Sequence, residues 1–399
     1  MTAPLTGIRV VDWTHVLAGP ACSYYLGLLG AEVIKVERPG RGDAMRHRGG
    51  TDKARAAEGI STAYLTQSAG KQSLALDLEH EAGKSVFERL LRSADVLVEN
   101  HRPETLARLD LSEARTRAIN PRLIHCAMTG YGRDNEMSGA PAYDVNIQAI
   151  SGLMALTGTT ETGPLRTGAP IIDYATGMAA AMAVMAALMQ REKTGQGTFV
   201  DVSMLETAFA LMSSTITDYR LTGTEPKPRG NAANSRSPSS GVFACAEGHI
   251  SLGVNEEAQF RALTNALGRS EWLSDPRFAN PADRSRNGAE LGRAIADVLS
   301  DRSADEWEKT LMAAGVPCAK LRTLSEALEL APSKERAFTS RGPAGFCGLP
   351  FAMHGIADQS AAEPPQTLGS GTHDVLIALG YTHNEIQALA DQGAVMKGW

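Results

Sequence analysis

Ile8-Arg-Val-Val-Asp-Trp13 and Glu32-Val-Ile-Lys-Val-Glu37 are the two segments that decide the fold. Both are short runs rich in β-branched residues, which favour strands, and residues 21–29 between them favour a helix. A strand, a helix and a second strand in this order form a parallel pair whose crossover is the helix. Residues 8–37 therefore predict the first unit of an α/β sheet.

The same alternation continues along the chain. Strands are predicted at Ser73–Leu78, Asp95–Glu99 and Leu123–Met128 with helical patterns between them, so we expect a parallel sheet with crossover helices. Glu37 ends the second strand, where a dinucleotide-binding fold carries its ribose ligand. Because the first turn has no Gly-x-Gly-x-x-Gly pattern, an NAD site is not expected.

A change of composition at residues 224–241, which are rich in Pro, Gly, Ser and Asn, indicates a domain boundary or a loop. A hairpin and amphipathic helices follow it, and they are typical of a small α+β domain over 225–330. The last residues return to loops and a helix. We therefore expect a large domain over 1–222 that is completed by 331–399.

The composition excludes several classes of protein. Of 399 residues, 43% are apolar and 21% charged, with a net charge of −6, which is typical of a soluble protein without a basic nucleic-acid surface. Five scattered cysteines without a Cys-x-x-Cys pair, and nine histidines without ligand spacing, argue against a metal site. With no signal-peptide pattern at the N-terminus, we expect a cytoplasmic protein.

Residues 176–190 predict a helix that is apolar on nearly all sides and therefore buried. Its methionines recur at helical spacing, and core packing explains them better than a binding role. The apolar run between the first and the last of them is too short to predict a membrane span. These methionines are Met178, Met182, Met185 and Met189.

Asp173 is the candidate residue for chemistry. It lies in Gly168-Ala-Pro-Ile-Ile-Asp-Tyr-Ala-Thr-Gly177, just before the apolar helix. An aspartate at this place is a preferred N-cap, which explains it without catalysis. A helix N-terminus also favours the anion, which would keep the carboxylate ionised and nucleophilic. Its attack on an acyl group would give a mixed anhydride, which must be shielded from water.

Together with Asp173, further segments resemble the family III CoA-transferases in order and spacing over nearly the whole chain. The resemblance is weakest between Thr222 and Gly241. The matching segments are Leu5-Thr-Gly-Ile-Arg-Val-Val-Asp12, Thr14-His-Val-Leu-Ala-Gly-Pro20, Leu29-Gly-Ala-Glu-Val-Ile-Lys-Val-Glu-Arg-Pro39, Gly42-Asp43, Ala94-Asp-Val-Leu-Val-Glu-Asn100, Asn120-Pro-Arg122, Gly130-Tyr131, Lys193-Thr-Gly-Gln-Gly197 and Leu368-Gly-Ser-Gly-Thr-His-Asp-Val-Leu376.

The resemblance implies an enzyme that moves CoA between carboxylic acids, with Asp173 as a nucleophile that forms an aspartyl anhydride and then an aspartyl-CoA thioester. It also implies a Rossmann-like large domain, an interlocked homodimer, and CoA as part of the substrate without a permanent cofactor. Six positions match CoA contacts of the family, and for Arg38, Leu76, Asn100 and Arg108 an ordinary role as surface charge, strand core or turn is the alternative. The six positions are Val16, Ala18, Arg38, Leu76, Asn100 and Arg108, of which the arginines are suited to phosphate.

Two departures from the family's patterns narrow the activity. The racemase branch has a His-Asp pair where this chain has Tyr143-Asp144, and a tyrosine with an ordinary pKa near 10 is a poor acid/base group. Tyr143 instead matches the acyl pocket of the transferases. A member of the family that acts on oxalate has a glutamine in place of Leu17, and leucine offers a small dianion no polar partner.

We therefore expect a larger, dicarboxylic acid as a substrate. Arg46 and Arg48 are candidates for its distal carboxylate, but exposure on a loop explains them better. Two alternatives stay open: an acyl-CoA racemase or epimerase of the same family, and a non-catalytic CoA-binding protein in which Asp173 is only a helix cap.

Overall fold

The computed structural model describes residues 2–232, 237–332, 345–353 and 363–397. It forms two compact units. The larger comprises Met1–Leu153, Arg166–Thr224 and Ala331–Trp399, and the smaller comprises Met154–Leu165 and Glu225–Leu330. Part of the loop at 224–241 lies outside the described residues.

A six-stranded parallel sheet forms the centre of the larger unit and confirms the predicted α/β class. Its order, β3-β2-β1-β4-β5-β6, reverses direction between β1 and β4. Such a reversal opens a crevice at the carboxyl ends of the two strands. The strands are β1 (Arg9–Trp13), β2 (Glu32–Glu37), β3 (Gln72–Ala75), β4 (Val96–Glu99), β5 (Ile124–Thr129) and β6 (Phe199–Ser203).

Helices cover both faces of this sheet and bury two hydrophobic clusters against it. Short 3₁₀ turns lie at Ala44–Arg46 and, in the smaller unit, at Ser270–Leu273. The helices up to residue 222 are α1 (Ala18–Leu28), α2 (Lys53–Ala57), α3 (Thr62–Ser68), α4 (Glu81–Arg92), α5 (Pro103–Arg108), α6 (Glu113–Ile119), α7 (Asp144–Ile150), α8 (Leu153–Leu156), α9 (Ile171–Thr194), α10 (Met204–Leu211) and α11 (Ser213–Thr222).

Helix α9 differs from the expectation of a fully buried helix. Its alanine-rich face packs on the sheet and on α1, but Met182 and Met189 are 66% and 68% exposed, and Met178 is also exposed. Only Met185 packs against the core. Among the described residues, α9 alone is long and apolar enough to cross a membrane. The apolar run between Met178 and Met189 was too short to predict this. A core helix that packs on a sheet also meets the test of length and composition.

The end of the described chain completes the larger unit beside β3. The amide of Ala75 donates to Thr372 Oγ1 at 3.1 Å, and Leu76 forms a β-bridge with Val395. Leu376 and Val395 join the hydrophobic cluster on this face. The helices of this segment are α17 (Thr372–Ala378) and α18 (His383–Asp391).

The smaller unit contains a three-stranded antiparallel sheet in the order β9-β8-β7. Residues 154–165, which we had placed in the large domain, belong to it because the Gly158 carbonyl accepts a hydrogen bond from the Gly230 amide at 2.6 Å. The elements after residue 224 are β7 (Ser240–Ala244), β8 (His249–Gly253), α12 (Glu257–Ala266), α13 (Pro281–Arg286), α14 (Gly288–Leu299), α15 (Ala304–Ala313), β9 (Cys318–Lys320) and α16 (Leu324–Leu328).

Candidate active site

A cleft of about 370 Å³ lies at the carboxyl ends of β1, β4 and β5, where the strand order reverses. Loops that leave these strands form its walls, and Asp173 lies among its lining residues. The structure thus brings together most of the residues singled out in the sequence. Those that line this cleft are Val16, Leu17, Ala18, Asn100, Tyr143 and Asp173.

Asp173 lies in the first turn of α9, and the N-cap of that helix is Pro170. The expectation that Asp173 is the N-cap is therefore wrong. Among the described residues, no hydrogen bond or ion pair engages its carboxylate, while its backbone amide donates to Asp144 Oδ2 at 3.3 Å. The carboxylate is left free at the cleft.

Asp144 supplies the capping that Asp173 does not. This buried carboxylate accepts the Ile172 amide at 2.8 Å through Oδ2. Its other oxygen, Oδ1, accepts the side-chain amide of Gln148 at 2.6 Å, and Gln148 Oε1 in turn accepts the Thr167 amide at 2.9 Å. Two helices, α7 and α9, thus meet at one fixed carboxylate.

The electrostatics of Asp173 differ from what a helix N-terminus alone suggests. Burial and the neighbouring Asp144 carboxylate raise the pKa of Asp173 to about 7. Burial disfavours the charged form of an acid, and a like charge nearby does the same. At neutral pH the group is therefore divided between its acid form and its nucleophilic carboxylate form.

The loop between β1 and α1, residues 14–17, is called the first loop here. The close approach of α1 to α9 places it beside Asp173. A Cβ atom at Gly177 would lie 2.9 Å from the carbonyl oxygen of Ala18 and 2.9 Å from the Cβ atom of Ala21, so a larger residue would force the helices apart. Because Ala18 begins α1 and Gly177 lies one turn after Asp173, this contact fixes one wall of the cleft.

The first loop has an unusual backbone that polar side chains support. Val16 has φ of 69°, a left-handed conformation that is strained for a β-branched residue. Its amide donates to Asp43 Oδ1 at 3.2 Å. Asn100 holds the preceding residue, since its side chain accepts the His15 amide at 2.9 Å and donates to the His15 carbonyl at 2.8 Å.

Buried charges below this loop were not recognised in the sequence. Lys71 Nζ contacts Asp12 Oδ2 at 2.8 Å, and Lys35 Nζ lies 3.3 Å from Asp43 Oδ2. Burial alone would raise the pKa of Asp12, but Lys35 and Lys71 lower it well below its usual range. The available signal was a charged residue next to β-branched residues in the interior of each of two strands, Asp12 in β1 and Lys35 in β2. The register of the sheet places these two residues side by side.

A second, larger cleft of about 820 Å³ lies beyond the carboxyl end of β2. Arg38 lines it, together with the exposed residues Arg41 and Arg48. Arg46 does not, because it is buried and pairs with Glu37 at 2.6 Å. Glu37, which stands where a dinucleotide-binding fold has its ribose ligand, is engaged by Arg46 instead. Arg46 is buried, so the expectation that it is an exposed loop arginine is wrong.

His15 and His101, which we did not single out, line both clefts. The ring of His101 lies against Trp13, with 3.9 Å between the ring centroids. Burial lowers the pKa of His101 to about 3, so its imidazole is neutral at physiological pH. No sequence signal distinguished these two histidines from surface residues.

Leu76 and Arg108 line neither cleft. Leu76 is 2% exposed and its side chain packs in the core beside β3. Arg108 lies in the last turn of α5 and forms an exposed ion pair with Glu79 at 2.9 Å. Both therefore occupy the ordinary structural positions that we had weighed against a CoA contact.

Comparisons with known proteins agree with this geometry. A model of CoA-transferase family III matches residues 5–372. The chain is 31% identical to the succinyl-CoA:glutarate CoA-transferase of Mus musculus, over 98% of this chain and 90% of that one. It is 34% identical to the acetyl-CoA:oxalate CoA-transferase of Acetobacter aceti, over 89% and 90%.

Among solved structures, a CAIB/BAIF family protein from Brucella suis matches with a TM-score of 0.85 and 28% identity, over 95% of this chain and 100% of that one. Its fold agrees with the α/β class and the parallel sheet described above. The resemblance seen in the sequence is thereby confirmed. The chain belongs to CoA-transferase family III and is an acyl-CoA:carboxylate CoA-transferase.

Proposed function

We propose that this enzyme moves CoA from an acyl-CoA thioester to a free, dicarboxylic acid through covalent intermediates on Asp173. The observation that carries the proposal is the free carboxylate at the cleft: the Asp173 carboxylate has no hydrogen-bond or ion-pair partner among the described residues, although the residue is half-buried. A purely structural aspartate in such a place would be hydrogen-bonded.

The chemistry starts when an Asp173 carboxylate oxygen attacks the thioester carbon of the donor. The C–S bond breaks, and an aspartyl-acyl anhydride and CoA thiolate form. The thiolate then attacks the aspartyl carbonyl, which releases the donor acid as its carboxylate and leaves an aspartyl-CoA thioester. The acceptor carboxylate repeats these two steps in reverse order and leaves with CoA, so Asp173 is regenerated without a net change of proton or charge.

The two clefts support a division of the substrate between them. The thioester end belongs beside Asp173, with Val16, Ala18 and Asn100 along its path. The nucleotide end fits the second cleft, where the exposed arginines, Arg38 among them, offer charge-assisted hydrogen bonds to phosphate. CoA then enters only as part of the substrate, and no permanently bound cofactor is required.

Tyr143 and Leu17 support a larger acid than oxalate. Tyr143 is 63% exposed at the mouth of the cleft. Leu17 offers the acyl group an apolar wall. The relatives named above use glutarate or oxalate as the acceptor, so a series of dicarboxylates against succinyl-CoA and acetyl-CoA is the appropriate screen. We expect a rate that is higher with C4 to C6 diacids than with oxalate.

An interlocked homodimer and a Rossmann-like large domain are part of the same proposal. The strand order of the sheet supports the Rossmann-like domain. Apolar side chains that stay exposed on three successive helices support the homodimer, because monomers rarely leave such surfaces uncovered. These side chains are Met178, Met182 and Met189 of α9, Phe209 and Leu211 of α10, and Tyr219 and Leu221 of α11. A cytoplasmic location without nucleic-acid or membrane partners stays a prediction.

Trapping of the intermediate tests the proposal. Incubation with acyl-CoA and hydroxylamine should convert Asp173 to a hydroxamate, which mass spectrometry locates on its peptide. Asp173→Asn should give neither hydroxamate nor exchange between labelled CoA esters and free acids, while CoA binding persists. A hydroxamate on another acidic peptide would place the nucleophile elsewhere. Loss of label from the α-carbon without exchange would instead indicate a racemase, and CoA binding without either reaction would indicate a non-catalytic protein.

A further inference from the structure

Helix α9, which carries Asp173, has its first free amides hydrogen-bonded to a carboxylate from elsewhere in the chain. The free amides at the start of an α-helix attract any nearby carboxylate, and an acidic residue within the first turn can itself turn back towards them. Asp173 is such a residue. Its carboxylate reaches the cleft only if a different acceptor satisfies these amides.

Asp144 is that acceptor. Its Oδ2 atom accepts the amides of Ile172 at 2.8 Å and of Asp173 at 3.3 Å. The Gln148 amide fixes the second oxygen at 2.6 Å, and both side chains are buried. Since Asp144 opens helix α7 directly after Tyr143, the same residue ties the wall of the cleft to the start of α9.

We propose that Asp144 is a positioning residue for the transfer reaction: by accepting the first amides of α9, it leaves the Asp173 carboxylate free to face the thioester. This inference rests on the proposed role of Asp173 as nucleophile. It assigns Asp144 no contact with substrate.

The charge of Asp144 has a second consequence. The titratable and charged side chains that line the cleft with Asp173 are His15, His101, Arg102, Tyr131 and Tyr143. In addition to burial, the charge of Asp144 raises the pKa of Asp173. Removal of this charge therefore lowers the pKa of the nucleophile and makes the carboxylate available at lower pH.

Two substitutions separate position from charge. Asp144→Asn keeps an oxygen that can accept the Ile172 amide but removes the charge. We expect the acidic limb of its kcat–pH profile to move to lower pH, so that at pH 5.5 it retains a share of its plateau rate roughly threefold or more above that of the wild type. Asp144→Ala removes the acceptor, and we expect kcat to fall about a hundredfold with KM for acyl-CoA nearly unchanged.

A lost helix cap elsewhere provides the control. Ser112 caps α6 through a hydrogen bond from the Arg115 amide at 3.3 Å and lies outside both clefts. Ser112→Ala should lower the melting temperature and leave the pH profile and kcat unchanged. Gln148→Ala, which releases Asp144 without removing it, provides a second test of position, with a loss of kcat smaller than that of Asp144→Ala.

The outcomes distinguish the two proposals. If the acidic limb of Asp144→Asn coincides with that of the wild type and Asp144→Ala keeps full kcat, Asp144 does not position the nucleophile, even if hydroxylamine traps Asp173 as expected. If hydroxylamine does not trap Asp173 in the wild type, the assignment of the nucleophile fails instead. Retention of CoA binding shows that each variant is folded.

Discussion

The raised pKa of Asp173 has a thermodynamic sign that can be measured. An acid whose pKa is higher in the folded than in the unfolded state stabilises the fold below its unfolded pKa, and this contribution is lost as the pH rises towards the folded value, here about 7. Asp173→Asn cannot ionise and escapes that loss. Its free energy of unfolding relative to the wild type should therefore rise by about 2 kcal/mol between pH 5 and pH 8.

Urea denaturation of both proteins across this range is the appropriate measurement. A catalytic residue often costs stability in this way, because the site holds it in an unfavourable environment. A wild type that gains stability relative to Asp173→Asn with rising pH would mean that the folded pKa is not raised.

The two arginines that we expected to bind phosphate differ in their surroundings. Arg38 lines the second cleft and forms no ion pair among the described residues, whereas Arg108 pairs with Glu79 on the surface. A charge-assisted hydrogen bond contributes roughly 1.5–3 kcal/mol, so Arg38→Ala should raise KM for acyl-CoA about tenfold or more. Arg108→Ala should raise it less.

Steady-state kinetics should compare KM for acyl-CoA among these variants. Arg117→Ala is the control for loss of a surface charge, since Arg117 pairs with Glu113 in a similarly exposed position. An Arg38 variant with wild-type KM would remove the second cleft from the path of CoA. An equal effect at Arg108 would mean that it leaves Glu79 when the substrate binds.

At the scale of elements, the sequence predicted the strands better than their surroundings. Alternating strand and helix patterns sufficed for β1 to β5, because strands that helices cover on both faces of a parallel sheet are short apolar runs. The sixth, Phe199–Ser203, was missed because Asp201 interrupts it, as an edge strand allows. The sequence also predicted that the methionines of α9 are buried, but three of them are exposed. An apolar composition indicates that a side chain favours a covered position, but it does not show whether a surface of the same chain covers that side chain.

The candidate site was predictable only in part. Asp173 and the first loop stood out through sequence pattern and resemblance, and the cleft follows from the reversal of strand order. The capping by Asp144 and the pairing of Lys71 with Asp12 depend on contacts across long stretches of chain. No local pattern encodes such contacts, so only the folded structure could provide them.

The loop between β1 and α1 gives a prediction at this scale. Asn100 holds both backbone groups of His15, so Asn100→Ala leaves two hydrogen bonds unmade and frees the strained conformation of Val16. We expect kcat/KM to fall tenfold or more by misplacement alone, about 1.4 kcal/mol in the barrier. Stability should fall by about 1–3 kcal/mol.

Asn120 offers a matched control. Its side chain holds three backbone groups: it donates to the carbonyls of Leu91 at 3.0 Å and Ala94 at 2.9 Å, and it accepts the Arg122 amide at 3.0 Å. It lies outside both clefts. Asn120→Ala should lose stability to a similar degree and keep its kcat/KM. Equal losses of activity in the two variants would show that the effect of Asn100 is general destabilisation.

For the whole molecule, the proposed interlocked homodimer makes a prediction about dilution. Ordinary dimers dissociate by mass action, but interlocked chains separate only if one of them unfolds. Sedimentation at nanomolar concentration should therefore still give a particle of twice 42.3 kDa, the mass of one chain. A folded and active particle with the mass of one chain would contradict the proposal.

The segment that closes the larger unit beside β3 also has a consequence for synthesis on the ribosome. Thr372 accepts the hydrogen bond of an amide that was made 297 residues earlier, which corresponds to roughly 15–60 s of translation at usual elongation rates. During that interval the core surface that Leu376 and Val395 will cover is open to solvent or to chaperones. Premature termination after residue 204 and before residue 363 should thus produce chains that aggregate, even though every residue of the proposed catalytic centre has already been made.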